Sequence, residues 1–310
     1  LNEKKLIKDK HVERVVFNEI TKKAVIHGIE NPRQIETLLV DAYMARRALD
    51  YLVGFNISPI LWAKLPGSKS AGRVQSVALK LITEREHEIE LFDPQEFWTL
   101  SIQFNDTHKN SILASITQIN DKKIEKFSFK SKTEIDKIID EVKSKKFQIN
   151  DISSKVVNRN PSGPFTTSTL QQVSSGKLGF GASRTMQIAQ KLYQGIEIDG
   201  DTIGLITYMR TDGTNLSADA IDTFRKYIEN EFGEKYVPDI PANYSGKKAK
   251  NAQEAHEAIR PTDIMRAPST VKKYLSLDQY KLYDLIWSRA LSSQMKPALF
   301  DRNTITITTE

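Results

Sequence analysis

The sequence contains no cysteine and only five histidines. The lack of cysteine excludes disulfides, thiolate zinc sites, iron–sulfur clusters and cysteine nucleophiles. No two histidines have the His-x3-His spacing, which argues against a histidine metal site. No apolar run approaches the roughly 18 residues needed to cross a bilayer, so no membrane span is expected. These absences favour a protein of the reducing cytoplasm.

The motifs that bind nucleotides are also missing. Lys69-Ser70 resembles the end of a phosphate-binding P-loop, but Ser68 and Ala63 stand where that motif requires glycine. The sequence has no glycine-rich dinucleotide fingerprint either. We therefore expect no use of ATP.

Positive charge is concentrated near the start of the chain. The 310 residues carry a net charge of +6, and residues 1–80 alone hold 14 Lys and Arg against 8 Asp and Glu. The remainder is neutral. A confined surplus of this kind suits a polyanion such as nucleic acid, although a solvated lysine-rich face is an equally good interpretation of charge alone.

Hydrophobic periodicity predicts a mixed α and β, multidomain fold. The pattern predicts helices from Asn31-Pro32 to about residue 90, with a break at Ser58-Pro59, and short antiparallel strands over 97–129. Pro161-Ser162-Gly163-Pro164 is the clearest hinge signal. Further helices are predicted over 132–142, 218–232, 252–259 and 271–296, and strands over 12–17, 147–157, 203–211 and 304–309. Two short helices about the turn 176–181 resemble a helix-turn-helix.

One candidate site lies in the predicted strand over residues 203–211. Tyr208, Arg210 and Asp212 would share one face, because residues two apart in a strand point the same way. A phenol has a pKa of about 10 and is a poor nucleophile unless a nearby positive charge favours its phenolate. Arg210 could provide that charge and could also bind a phosphate oxygen. A surface tyrosine beside a surface arginine is the alternative.

Three further clusters contain candidate residues. His256 could move a proton or contact phosphate from a predicted helix, although a lone histidine is more often structural. Arg73 and Gln75 lie where a helix begins after a turn of small residues, which favours phosphate. Asp50 stands three and four residues beyond Arg47 and Arg46, so it could hold a guanidinium for contact with a nucleic acid backbone. An exposed ion pair is as good an explanation.

The order of these blocks resembles bacterial type IA DNA topoisomerase I. The segments are A-R-R-x-L-D, S-A-G-R-V-Q-S-V-A-L, P-F-T-T-S-T-L-Q-Q, I-T-Y-M-R-T-D and A-Q-E-A-H-E-A-I-R-P. The resemblance covers nearly the whole chain. Tyr-Met-Arg favours the topoisomerase I branch over topoisomerase III. A topoisomerase III or reverse gyrase fragment is one alternative, and a non-catalytic DNA-binding module is another.

The resemblance implies a role for each candidate residue. Tyr208 would be the nucleophile that forms a 5′-phosphotyrosyl link, Arg210 would contact the scissile phosphate, and His256 would assist. The residues expected to bind the DNA single strand are Arg46, Arg47, Asp50, Arg73, Gln75, Thr207 and Thr211. The family relaxes negatively supercoiled DNA by strand passage without ATP. The implied partner is the single-stranded part of underwound duplex DNA, and the protein would be a monomer associated with the nucleoid.

The resemblance also implies four domains. Residues 1–27 would be the end of the Toprim domain, 28–90 helical domain IV, 91–157 with 264–310 the arch domain II, and 158–263 domain III, which carries Tyr208. The acidic D-x-D-x-E cluster that holds Mg²⁺ in the Toprim domain does not occur in these residues. We therefore expect Mg²⁺ to bind outside this chain, and we expect a piece of a longer protein that is inactive or weakly active alone. Gly213, Lys69 and the pair Ser162-Gly163 depart from the family pattern.

Overall fold

The computed structural model describes residues 11–105, 108–244 and 257–309, which form two compact units. The first unit comprises Leu1–Ile35 and Ser154–Arg302, and the second comprises Glu36–Ser153 and Asn303–Glu310. The observed fold is mixed, with helices and small antiparallel sheets, as expected. This division does not test the four predicted domain boundaries, which stay a prediction.

The elements follow one another in chain order. The helices are α1 (Lys22–Glu30), α2 (Thr37–Lys64), α3 (Arg73–Glu90), α4 (Lys132–Lys143), α5 (Thr167–Leu178), α6 (Ala182–Gln194), α7 (Ala218–Phe232), α8 (Pro268–Val271) and α9 (Leu277–Ser292). The strands are β1 (Ser101–Asn105), β2 (Ser111–Ser115), β3 (Gln118–Ile119), β4 (Lys122–Lys123), β5 (Phe147–Arg159), β6 (Ile196–Ile198), β7 (Asp201–Ile203) and β8 (Ala298–Thr309). Short 3₁₀ turns occupy Glu234–Tyr236 and Lys272–Tyr274.

A hydrophobic core lies in the first unit, where α5, α6 and α9 pack together. Its fully buried side chains include Phe165, Leu170, Leu192, Leu205, Ile206, Ile259, Leu282 and Ile286. Thr166 begins α5 with a capping box, in which its hydroxyl accepts from the amide of Thr169. Gly179 ends α5 in the left-handed conformation, with φ 67°. These caps fix where α5 begins and ends, and its first residues line the candidate site.

The second unit contains long helices and two hairpins. β1 pairs with β2 and β3 with β4, both antiparallel. β5 and β8, which are not confined to this unit, form a further two-stranded sheet. Ser131 caps α4 through the amide of Glu134. Among the described residues, no helix has the length and apolarity to span a membrane.

Several predicted elements are confirmed by the structure. α7 covers the predicted residues 218–232, and α4 extends the predicted helix by one residue. β5 and β8 contain the predicted strands over 147–157 and 304–309. These elements have strong local signals, because both helices carry a serine N-cap and an apolar stripe.

Other predictions are wrong. α2 continues through Pro59, where a break was expected, and the amide of Ala71 donates to the buried Ser58 hydroxyl beside it. The predicted strand over 12–17 reduces to one bridge between Arg14 and Arg33. The predicted helix over 271–296 is divided into α8, a 3₁₀ turn and α9, which ends at Ser292.

The predicted helix over 252–259 is also wrong where it is described. Glu257 and Ile259 form bridges with Asn215 and Phe165, so this end of the segment is extended. Residues 252–256 lie outside the described part of the chain. The apolar residues Ala258 and Ile259 are both fully buried, and a position between two other segments explains that burial without a helix.

Candidate active site

The candidate nucleophile lies in an extended segment of the first unit, residues 204–212, which follows β7. Thr207, Met209 and Thr211 are buried, with 1%, 2% and 6% of their surface exposed. Tyr208 is partly exposed, and Arg210 and Asp212 are exposed. The predicted division into two faces is confirmed, although β7 ends at Ile203 and the following residues make only isolated bridges. Alternation thus places Tyr208 and Arg210 on the accessible side.

Hydrogen bonds hold this segment on both edges. On one edge, the Thr207 amide donates to the Arg260 carbonyl at 2.9 Å, and the Arg260 amide donates to the Thr207 hydroxyl at 3.0 Å. On the other edge, the Tyr208 amide donates to the Asn18 carbonyl at 2.8 Å. Paired backbone groups on both sides fix the position of Tyr208 more firmly than an exposed loop would.

Thr167 joins the segment to the start of α5. Its hydroxyl donates to the Met209 carbonyl at 2.8 Å and accepts from the Thr211 amide at 2.9 Å. Its own amide donates to the Thr211 carbonyl. The preceding residue, Thr166, is the N-cap of α5, and the sequence analysis did not identify this role of Thr167. The threonines that follow Pro164 were the available signal for such a contact. They did not indicate that residues 209–211 would be the partner.

Arg210 lines an open pocket of about 500 Å³ together with Asp212, Thr211 and the first residues of α5. The amides at a helix N-terminus carry partial positive charge, and hydroxyls of Thr166 and Ser168 lie at the same end. A guanidinium beside such a helix end can bind a phosphate oxygen. The pocket therefore offers a place for a DNA backbone phosphate, and it is lined by Arg210, two residues after Tyr208 in the sequence.

A second tyrosine packs against the candidate nucleophile. The rings of Tyr193, near the end of α6, and Tyr208 lie edge to face, with their centroids 5.3 Å apart. Burial raises the pKa of Tyr193, and the neighbouring Tyr208 adds to this effect. Tyr193 therefore stays protonated at neutral pH. It supports one side of the Tyr208 ring by packing.

The structure places the remaining candidates in different positions. Thr207 and Thr211 are buried with their hydroxyls bonded inside the protein, and their part in DNA binding stays a prediction. His256 lies outside the described residues. Its neighbour Glu257 forms a largely buried ion pair with Arg260, which the sequence analysis missed.

Five candidates lie in the second unit. Arg46 and Arg47 are exposed on α2, and their contact with a DNA backbone stays a prediction. Asp50 does not bind either of them by hydrogen bonds but accepts two from Arg73 at the start of α3, at 2.8 and 3.1 Å. These bonds hold the pKa of Asp50 below its ordinary value. Gln75 donates to the Ser70 hydroxyl. Asp50 thus orients Arg73, which the local spacing did not indicate.

The described residues do not provide a metal site. No group of three His, Asp or Glu side chains within that part of the chain lies close enough to hold an ion. The described residues therefore do not fit the Mg²⁺ that the resemblance implies.

Comparison with known proteins gives consistent matches. The DNA topoisomerase family matches residues 34–310. DNA topoisomerase 1 of Rickettsia bellii is 53% identical over 100% of this chain and 39% of its own length, and that of Xylella fastidiosa is 47% identical over 98% and 38%. The structure of full-length topoisomerase I from Thermotoga maritima matches with a TM-score of 0.77 at 40% identity, over 96% of this chain and 46% of that one. The chain thus spans less than half the length of the relatives it matches.

Proposed function

Since this chain belongs to the bacterial DNA topoisomerase I family, we propose that it carries the nucleophile of a type IA topoisomerase. Tyr208 cuts one DNA strand, another strand passes, and the cut is resealed. The observation that supports this most directly is the alternation of residues 207–212. It buries Thr207, Met209 and Thr211, leaves Tyr208 partly exposed, and leaves Arg210 exposed in the pocket at the N-terminus of α5.

The proposed reaction exchanges one phosphodiester for another. The Tyr208 oxygen attacks phosphorus and loses its proton, the bond from phosphorus to the 3′ oxygen breaks, and that oxygen leaves as a hydroxyl after taking up a proton. The 5′ end stays bound to Tyr208. Because the bonds broken and formed are alike, resealing needs no ATP, and strain in underwound DNA gives the direction. His256 is proposed to assist proton transfer.

Arg210 stabilises the charge that develops on the attacked phosphate. A guanidinium aligned with two phosphate oxygens binds the crowded, more negative transition state better than the resting diester. The α5 N-terminus reinforces it with partial positive charge. The partner chemistry is therefore a single-stranded DNA backbone, which Arg46, Arg47 and Arg73 are proposed to contact from α2 and α3. Mg²⁺ is proposed to bind outside these residues.

The test is to map the covalent link. The complete gene product that contains this chain is incubated with a single-stranded oligonucleotide and Mg²⁺, denatured to trap the adduct, and digested for mass spectrometry. We expect the nucleotide on the peptide that contains Tyr208. An adduct at another residue, or none under conditions where a relative forms one, would overturn the proposal. We further propose that the protein acts as a monomer on the nucleoid in the cytoplasm.

The paired arginines of α2 provide a separate prediction about DNA binding. Replacing Arg46 and Arg47 together with Ala removes two phosphate contacts, so the slope of log affinity against log salt for single-stranded DNA should fall by about 1.4. Fluorescence anisotropy across a salt series measures this slope. The matched control is Lys122→Ala with Lys123→Ala on β4, which removes the same charge from the same unit. An equal change of slope in both double variants would show that the effect comes from net charge and not from phosphate contacts of Arg46 and Arg47.

A further inference from the structure

A largely buried ion cluster lies on the edge of the nucleophile segment, outside the pocket. The Arg260 side chain is 8% exposed and contacts two carboxylates. Its Nε and Nη2 donate to Glu257 at 2.6 and 3.0 Å, and Nη2 lies 3.1 Å from Oε2 of Glu19. Glu19 comes from the segment before α1, which the resemblance assigns to a different domain. The cluster therefore joins two distant parts of the chain.

The two carboxylates hold Arg260 in unequal ways. Glu257 lies three residues away on the same segment, forms two hydrogen bonds with the guanidinium and also accepts from the Ser217 amide at 2.7 Å. Oε2 of Glu19 is buried and has no aligned hydrogen bond among the described residues, so its contact with Arg260 is one of charge alone. Its other oxygen accepts from the Thr21 hydroxyl, the N-cap of α1. The Glu257–Arg260 pair therefore forms within one short segment, whereas the Glu19–Arg260 pair can break when its two segments move apart.

Backbone bonds from the Glu19 segment reach the nucleophile itself. The Tyr208 amide donates to the Asn18 carbonyl at 2.8 Å, and the Gly204 amide donates to the Ile20 carbonyl at 3.3 Å. A Cβ at Gly204 would lie 3.1 Å from that carbonyl and 2.7 Å from the carbonyl of Tyr193, so the close approach favours glycine. Glu19 thus stands between the two residues that pair with the nucleophile segment.

We propose that the Glu19–Arg260 ion pair is a latch that holds residues 18–20 against the nucleophile segment. Strand passage, on the proposed function above, needs Tyr208 to carry one DNA end away and return. When the latch opens, the bonds from Gly204 and Tyr208 break with it, while Glu257 keeps Arg260 in place for closure. Glu19 is a positioning residue, because it acts on Tyr208 through the backbone and through Arg260.

Amide hydrogen exchange tests the latch without any activity. Glu19→Gln keeps the shape of the side chain and an oxygen for Thr21 but removes the charge. Loss of the charge of one partner in this largely buried pair should accelerate exchange at the Gly204 and Tyr208 amides by about tenfold. The amides of Leu205 and Thr207 lie in the same segment but donate to the carbonyls of Leu192 and Arg260 instead of residues 18–20. Exchange at the Leu205 and Thr207 amides should therefore not change. Residue-resolved NMR of the 310-residue protein gives all four rates.

The matched control is Lys23→Gln. Lys23 pairs with Asp219 at 3.1 Å between the same two parts of the chain, but both side chains are more than 80% exposed. An exposed pair of this kind contributes little, so exchange at all four amides should stay as in the unchanged protein. Equal acceleration of exchange at all four amides in Glu19→Gln would indicate general destabilisation of the protein. No acceleration would show that the Glu19–Arg260 pair does not hold residues 18–20 in place. Either result overturns the latch.

The consequence for the reaction is measured separately in the complete gene product. A weaker latch should slow resealing and raise the fraction of trapped oligonucleotide adduct severalfold in Glu19→Gln but not in Lys23→Gln. If exchange accelerates in Glu19→Gln but the fraction of trapped adduct does not change, the latch has no role in the reaction. If the unchanged protein forms no adduct at Tyr208, the proposed function fails, while the exchange result still decides whether the latch exists.

Discussion

Tyr208→Phe is expected to abolish the covalent adduct with single-stranded DNA. The substitution removes only the phenol oxygen, and the ring keeps its packing against Tyr193. The buried neighbours Thr207 and Met209 and the backbone bonds on both edges are untouched, so the segment should keep its position. DNA affinity should change by less than about 0.5 kcal/mol, as is usual for a substitution that alters little packing. Denaturing gels score the adduct, and fluorescence anisotropy scores binding.

Tyr193→Phe is the matched control for this loss. It removes the same atom from the ring that packs beside Tyr208, in a residue whose pKa is raised by burial and which therefore stays protonated. We expect the adduct to persist in this variant. Persistence of the adduct in Tyr208→Phe, or its loss in both variants, would show that Tyr208 is not the nucleophile.

Arg210→Ala has the second largest expected effect. Loss of the guanidinium removes the group that neutralises charge on the attacked phosphate, and removing one such donor slows a reaction by about 10²–10³-fold. Arg210→Lys should recover part of the rate, because an ammonium keeps the charge but cannot bind two oxygens in the same plane. Single-turnover cleavage of a labelled oligonucleotide at saturating protein measures the rate apart from binding.

Lys177→Ala provides the comparison for Arg210. Lys177 is exposed in the last turn of α5, at the opposite end of the helix whose N-terminus lines the pocket. Its removal lowers the net charge by the same amount, so a general electrostatic effect would slow both variants alike. We expect the cleavage rate of this control to stay within about twofold of the unchanged protein, because surface substitutions away from a site have small effects.

Long motifs and local caps made much of this protein predictable. Ser217 and Ser131 cap α7 and α4 through the third residue beyond them, and each helix follows its serine as expected. The two faces of residues 207–212 were also predictable, because alternation is a property of any extended chain. The family could be recognised for the same reason, since each motif is a continuous run of residues.

Contacts between distant segments were not predictable in this way. Asp50 pairs with Arg73 on another helix, although Arg46 and Arg47 lie nearer in the sequence. Pro59 stays inside α2, where the neighbouring Ser58 accepts a bond from the returning loop. Local spacing describes which partners are near along the chain, whereas these pairs depend on how separate elements come together.

The amino-acid sequence by itself determined the family and the alternation that leaves Tyr208 on the accessible side of its segment, and it named Tyr208 as the candidate nucleophile. Tertiary structure alone decided what surrounds that side. It made residues 257–259 an extended edge instead of a helix, joined Thr167 to Thr211, and placed Glu19 against Arg260. The physical reason is that a buried segment takes the conformation that satisfies its backbone groups with whatever neighbours the fold supplies.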